Sequence, residues 1–367
     1  MQRVLYLDHH TQVIGGGQVS LLGLMSGLEH FAPVCACGPG GELEAGVRRA
    51  GIPCLPLEQP PFAARHMLAV TRAVGRLWEA VRRQRPALLH ANSSRSMAYA
   101  GLVGRWARLP VVWHVRIVAS DGWWDRVLAR RATRLVVVSE AVRARFPWPD
   151  ARARVCVVPN AVDVDAMARG DGEAARRRLG CGAGPLVGMV AQLVPNKRPE
   201  DFLRAAALVA ERFPDCRFLL VGREPEGGGY GAYLRELASR LGLGERVVFA
   251  GFQDDVPGVM AALDVVVLTS AQEAFGRVLV EAMAAGRPVV ATRSGGVAEV
   301  VADQETGILV PVGDVPGIAA AVAAFLAAPE RARAMGLAGQ ARARQEFGLE
   351  AHVGRMEAAY RAVLGGS

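Results

Sequence analysis

Two glutamates stand eight residues apart around a glycine, in Glu273-Ala-Phe-Gly-Arg-Val-Leu-Val-Glu281. The stretch follows an apolar run at 265–269 that reads as a strand, and it leads into a helix starting near Phe275. The backbone N–H groups of Phe275, Gly276, Arg277 and Val278 can then face an anion, because the first turn of a helix carries unpaired donors and the positive dipole end. A carboxylate inside a phosphate site repels the phosphate unless it contacts hydroxyls instead. Glu273 and Glu281 therefore suit a sugar and a ribose; the plain alternative is a helix-start acid and a surface acid.

The chain uses arginine 42 times and lysine once, at Lys197. Lys197 stands in Gln192-Leu-Val-Pro-Asn-Lys197-Arg198-Pro, between a strand and a helix. A cation at that place can hold a diphosphate, unless the lysine is merely a solvated loop residue. A third loop, Asp8-His-His-Thr-Gln-Val-Ile-Gly15-Gly16-Gly17-Gln18, sets three glycines before a helix. It reads either as a phosphate seat, with backbone free for close approach, or as a flexible turn. It is not G-x-G-x-x-G, and no acid stands where one would read a ribose.

These loops need strands and helices to position them. Short β-rich runs at 4–8, 33–37, 87–91, 111–114, 135–139 and 155–158 alternate with Ala/Leu/Arg-rich helical stretches. The pattern repeats at 186–190, 217–221, 246–250, 265–269, 288–292 and 307–310. Buried strands alternating with helices predict doubly wound α/β sheets. We expect a first domain over 1–165, a connector over 166–184, a second domain over 185–345 and a C-terminal helix within 346–367 that crosses back onto the first. Ligands should bind at the carboxyl ends of the strands, in two Rossmann-like domains facing across a cleft.

The 367 residues suit two cores. No uncharged apolar run reaches the ~18 residues of a spanning helix. The N-terminus lacks the features of a signal peptide, so a cytoplasmic protein is expected. Six scattered cysteines without C-x-x-C, and no histidine at zinc spacing, fit reduced thiols and no metal. Residues 1–180 carry 25 arginines against 14 acids, +11; the rest carry 18 basic residues against 21 acids, −3. The basic half suits an anionic partner such as a membrane surface, or is simply an arginine-rich solvated face. No aromatic-interleaved basic motif is present, so nucleic acid is not an expected partner.

The long glutamate motif resembles that of glycosyltransferase family 4 (glycosyl transferases group 1), retaining enzymes of GT-B fold. Supporting likenesses are the glycine loop Gly15–Gly17, Val112-Trp-His114, Val158-Pro-Asn-Ala-Val-Asp163, Leu220-Val-Gly222 and Arg293-Ser-Gly-Gly-Val-Ala-Glu299. The resemblance implies transfer from a UDP- or GDP-sugar to a hydroxyl acceptor, lipid-linked, oligosaccharide or small molecule, with no further cofactor. It implies that Glu281 bonds the ribose, and that Glu273 with the amides of Phe275 and Gly276 addresses the sugar and phosphate. Lys197 would neutralise the diphosphate, helped by Arg198 or Arg277; Gly16 and Gly17 would approach the phosphate from the first domain; His114 would bind a hydroxyl of the transferred sugar. Loops 92–96 and 116–124 are candidates for the acceptor. One departure is Gln192, where the family usually has an arginine. Asp163-Val-Asp165 imitates a metal-binding D-x-D string at the domain junction, without a metal role expected. Rival readings are a nucleotide-sugar epimerase of the same fold and a non-catalytic binding subunit. A peripheral place on the inner face of a membrane accords with the basic first half.

Overall fold

The computed structural model describes residues 1–13, 15–225 and 228–365. The chain divides into two compact units: the first takes Met1–Ala161 together with Leu349–Ser367, the second Val162–Gly348. The first boundary falls at 161/162, not 165. No connector separates the units at 166–184. Those residues belong to the second unit and carry the helices Val164–Ala168 and Gly172–Leu179. Gly170 and Gly172 explain why so charged a stretch packs: a Cβ on either would stand 2.1 Å or 2.4 Å from the carbonyl oxygens of Pro257 and Ala261. Only a glycine lets the two backbones approach so closely.

In the first unit seven strands run in sequence order: β1 (Gln2–Leu7), β2 (Phe31–Cys37), β3 (Cys54–Pro56), β4 (Leu88–Ala91), β5 (Val111–Val115), β6 (Arg134–Val137) and β7 (Val155–Val157). They lie in the order β3-β2-β1-β4-β5-β6-β7, and all pairs are parallel. The second unit has β8 (Leu186–Val190), β9 (Arg217–Val221), β10 (Val247–Gly251), β11 (Val265–Leu268), β12 (Val289–Thr292) and β13 (Ile308–Val310). Their order is β10-β9-β8-β11-β12-β13, again parallel. The strands are apolar on both faces because helices cover both faces. Both units are thus Rossmann-like.

The strand order reverses between β1 and β4 in the first unit and between β8 and β11 in the second. At such a switch point neighbouring loops diverge and leave a crevice beyond the carboxyl ends. The glycine loop after β1 and the loops after β8 and β11 that carry Lys197 and Glu273 are placed there. The helix Leu349–Val363 joins the first unit by specific bonds: Tyr360 meets Tyr6 hydroxyl to hydroxyl at 2.9 Å, and the Glu357 carboxylate accepts from the amides of Glu29 and His30 at 3.0 and 2.8 Å. No helix among the described residues is long and apolar enough by itself to cross a membrane.

Candidate functional site

In the second unit the loop after β11 is fastened to the loop after β8. The Ala271 amide donates to the Asn196 carbonyl at 2.9 Å, and the Asn196 side-chain amide donates to Gln272 O at 3.0 Å. The buried Thr269 hydroxyl lies 2.8 Å from the carbonyls of both Lys197 and Arg198. These bonds bring Lys197 to Glu273, and the two form an ion pair, with Ser270 donating to the same carboxylate at 3.2 Å. The Glu273 backbone is pinned from the far side: Gly296 N donates to its carbonyl at 2.9 Å, and a Cβ on Gly295 would stand 2.0 Å from that oxygen.

The helix Arg277–Ala284 starts two residues later than the sequence pattern indicates. Gly276 caps it at φ 92°, a left-handed conformation that a side chain resists. Phe275 is buried against Phe347, ring centroids 5.6 Å apart. The first-turn amides, Val278 among them, have no carbonyl one turn back within the helix. One turn inward, Arg277 pairs with Glu281. Burial pushes the Glu281 carboxyl above the usual carboxylate range, and Arg277 pulls it back only in part. Arg198 is likewise engaged, by Asp201 at 2.6 Å. Gln192 lies exposed on the loop after β8.

Beside this cluster, at the carboxyl ends of β8, β9 and β10, is a cavity of about 260 Å³ lined by Leu193, Gly222, Arg223, Phe249 and Phe252 among others. The Arg223 guanidinium lies 4.6 Å over the Phe252 ring. Gly222 is required there, since a Cβ would stand 1.7 Å from Ala191 O. The sequence reading found Gly222 but not the cavity. Its walls come from three separate strand ends, with no local pattern to announce them.

In the first unit Gly16 opens the helix Gly16–Gly27, and Gly15, its cap, is extended. Ile14, within the predicted glycine loop, lies outside the described residues. Just before it, Asp8 is wholly buried at the end of β1. Its carboxylate accepts from Asn92 Nδ2 (2.6 Å), His10 Nδ1 (2.6 Å) and the His10 amide (2.9 Å). Burial alone would raise this carboxyl, but those bonds and the His10 charge hold it below its ordinary value. Asp8, His9 and His10 bring three possible metal-ligating atoms within 4.8 Å of one another, a grouping that spacing rules passed over because the residues are consecutive. The Asp8 oxygens are already used by hydrogen bonds.

His114 does not stand where a ligand would meet it. It is wholly buried inside β5, with ring contacts to His90 at 5.3 Å and His352 at 6.4 Å. Burial first, then the nearby Arg116, drives its pKa well below the ordinary imidazole value, so the ring is neutral. The strand continues past His114, and residues two apart share a face. The side chain that reaches the strand end is therefore Arg116. It donates to Asn92 Oδ1 at 2.8 Å and to Asn160 Oδ1, lies 3.3 Å from His114 Nδ1, and its Cδ is 3.4 Å from where a Gly17 Cβ would be. Arg116 was legible only as the first residue of a candidate acceptor loop.

The D-x-D string is occupied by structural work. Asp163 caps the helix Val164–Ala168 by accepting from the Ala166 amide at 2.9 Å, and Asp165 pairs with Arg344 at 2.9 Å.

Comparison with known proteins identifies the family and the fold. The family model "Glycosyltransferase Family 4" matches residues 14–166, and "Glycosyl transferases group 1" matches 173–342. The chain is 39% identical over 216 residues to a D-inositol 3-phosphate glycosyltransferase of Segniliparus rotundus, covering 58% of this chain and 48% of that protein. It is 37% identical over 250 residues to a GDP-mannose-dependent alpha-(1-6)-phosphatidylinositol monomannoside mannosyltransferase of Mycolicibacterium smegmatis, covering 61% and 64%. The matches thus span about half to two thirds of these relatives' length. Among solved structures, Anabaena HepE in complex with UDP and glucose superposes with a TM-score of 0.87 at 25% identity, covering 99% of this chain and 100% of that one.

Proposed function

Because this chain belongs to the family 4 (group 1) glycosyltransferases, of GT-B fold, we propose that it moves a sugar from a nucleoside-diphosphate donor to a hydroxyl acceptor with retention of anomeric configuration. The observation that carries the reading is the second unit's switch point: a glycine-capped helix start flanked by Lys197, Glu273 and Glu281. It offers hydrogen-bond donors and a cation for a diphosphate, and two carboxylates for hydroxyls.

The roles follow from chemistry. Glu281, buried yet bonded on one side by Arg277, accepts from the ribose hydroxyls. Amides at Gly276, Arg277 and Val278 meet the phosphates. Lys197 shares its charge between Glu273 and the diphosphate. As the bond between the anomeric carbon and the phosphate oxygen breaks, its electron pair goes to the diphosphate, whose added charge Lys197 and the amides stabilise most strongly in the transition state. The acceptor oxygen bonds to the same face of that carbon, and its proton passes to the departing phosphate oxygen. Glu273 orients the sugar and favours positive charge on its ring. The cavity beside Arg223 and Phe252 suits the flat nucleobase.

In the first unit the strand ends around Arg116, Asn92, His9 and His10 form the acceptor region, with Gly16 and Gly17 allowing close approach. Arg116 takes over the contact that His114 is too deeply buried to make. Two relatives are named for phosphate-bearing acceptors, an inositol phosphate and a phosphatidylinositol mannoside, and a strand-end guanidinium fits such a group. The first unit's 23 arginines against 12 acids favour an anionic membrane surface as the place of work. A thermal-shift panel of UDP, GDP and ADP sugars, followed by mass spectrometry of products with inositol and phosphoinositol acceptors in excess EDTA, tests the reading. Stabilisation by one donor and an acceptor-dependent glycoside support it. Turnover of the donor sugar without acceptor would point to an epimerase, and dependence on added manganese would overturn the metal-free mechanism.

A further inference from the structure

An apolar groove runs along the first unit between two helices that both return from the carboxyl to the amino ends of the strands. These are Met67–Gln84, which links β3 to β4, and Ser94–Ala107, which links β4 to β5. Met67, Val74 and Trp78 form one wall, Leu102 and Trp106 the other, and Phe62 closes one end. The cavity measures about 530 Å³. Phe62 is steadied by the Tyr99 ring, centroids 4.8 Å apart, and Tyr99 is itself tied to the Pro60 carbonyl at 2.6 Å. Three lining side chains are exposed to an unusual degree, Trp106 59%, Met67 48% and Phe62 38%, and Leu68, next to Met67 in the chain, is 66% exposed. Scattered exposed apolar residues need no explanation, but a contiguous set around a groove marks an interaction surface.

The charges beside the groove identify the partner. Across residues 62–85 and 102–108 there are eight arginines, all exposed, and a single acid, Glu79, which is paired with Arg83 at 2.5 Å. On the helix Met67–Gln84 the apolar groove face, with Val70, Val74 and Trp78, borders the core side of Ala73, Leu77 and Val81 on one edge and the stripe of Arg72, Arg76 and Arg83 on the other. A protein surface that joins a basic stripe to exposed tryptophan, leucine and phenylalanine matches the boundary of an anionic bilayer, where headgroup phosphates lie beside acyl chains.

We propose that this face docks on an anionic phospholipid bilayer, and that the groove receives one acyl chain. It rests on the sugar-transfer reading only in giving the membrane a purpose, the presentation of a lipid-linked acceptor.

The test is sedimentation with vesicles of phosphatidylglycerol and phosphatidylcholine, some carrying brominated acyl chains, which quench nearby tryptophan. The wild type is expected to bind and to be quenched. Leu68→Ser/Trp106→Ser is expected to lower the partition coefficient about tenfold or more, since each lost apolar contact weakens insertion. Arg72→Gln/Arg76→Gln is expected to weaken it in low salt and to matter less as salt rises. Binding without quenching, or unchanged binding of the serine double variant, overturns the proposal. So does a wild-type dimer, seen by light scattering, that the serine variant abolishes, because a second copy then covers the groove. Thermal stabilisation by UDP, GDP or ADP, measured on each variant, reports the donor site separately. Absence of stabilisation by UDP, GDP and ADP alike in all of them would sink the transfer reading while leaving a vesicle-binding result intact.

Discussion

In the second unit the loops beyond the switch point gather cations and carboxylates in pairs, Lys197 with Glu273 and Arg277 with Glu281. In the first unit the matching loops gather amides, imidazoles, one guanidinium and one buried carboxylate, held by Asn92, Asn160 and His10. The topology is shared and the chemistry is not. A parallel sheet supplies a crevice at its switch point whatever the sequence, and the side chains on the flanking loops decide what the crevice accepts. The contrast extends to titration. All seven histidines lie in the first unit, and the two units carry formal charges of +11 and −3.

The largest expected effect tests the paired site. Lys197→Ala should lower kcat by about 10²–10³, the range seen when one preorganised stabiliser is lost. Lys197→Arg should recover only part, because a planar fork does not replace a compact ammonium. Normal turnover of Lys197→Ala at saturating donor would dissolve the contrast between the units. Gln192→Arg in that background should restore some rate. Next comes Glu281→Ala, expected to weaken nucleotide binding by about 1.5–3 kcal/mol, the worth of hydrogen bonds to a charged group. Calorimetry with UDP and GDP measures it, and an unchanged affinity removes Glu281 from the site.

A third effect separates the units by pH. Burial, aided by Arg116, holds His352 at about 4, and His90 and His114 are lowered in the same direction. An unfolded histidine titrates near 6.5, so between those values the unfolded chain binds protons that the folded unit refuses. Stability of the first unit is therefore full above about pH 6.5 and falls as pH drops toward 4, by about 1.4 kcal/mol per pKa unit for each such group. Glu281 in the second unit has the opposite sign, since its raised carboxyl is relieved by acid. Hydrogen exchange between pH 7 and 4.5 should show amides of 1–161 and 349–365 losing protection before those of 162–348. Simultaneous loss would contradict the contrast. The smallest effect is Glu273→Gln. Removing the carboxylate that holds Lys197 should tighten binding of UDP alone by a few-fold, roughly the worth of a partly exposed ion pair, while lowering turnover. Weaker UDP binding in this variant would show that Glu273 orders Lys197 for the phosphate and does not compete with it.

Sequence legibility follows the same division. That Lys197, Glu273, Gly276 and Glu281 form one group was legible because they sit on two loops and the first turns of one helix with fixed local spacing. The first unit's strand-end group was misread by one step along a face. The strand was expected to end at His114, but it continues, and Arg116 occupies the end. Asn92 and Asn160 come from distant segments, and nothing local signals their meeting. The three-residue edge strand β3 was missed for a related reason: a strand paired on one side needs little β-propensity of its own, and Cys54-Leu-Pro56 has little. The supposed connector was misread because nothing in its own sequence tells that Gly170 and Gly172 pack against the backbone of Pro257 and Ala261.

The way the chain is shared between the units bears on its synthesis. The second unit closes at Gly348, with every one of its strands already made. The first unit at that moment still lacks the helix Leu349–Val363, and with it the partners of Tyr6, Glu29 and His30. On the ribosome the portion made first is therefore the portion finished last. It must wait, incomplete, through roughly 190 further residues, close to ten seconds or more at ordinary translation rates. The apolar surface around Leu24, Met25 and Phe31, which Val353, Met356 and Tyr360 later cover, is then the place where a nascent chain would call on a chaperone.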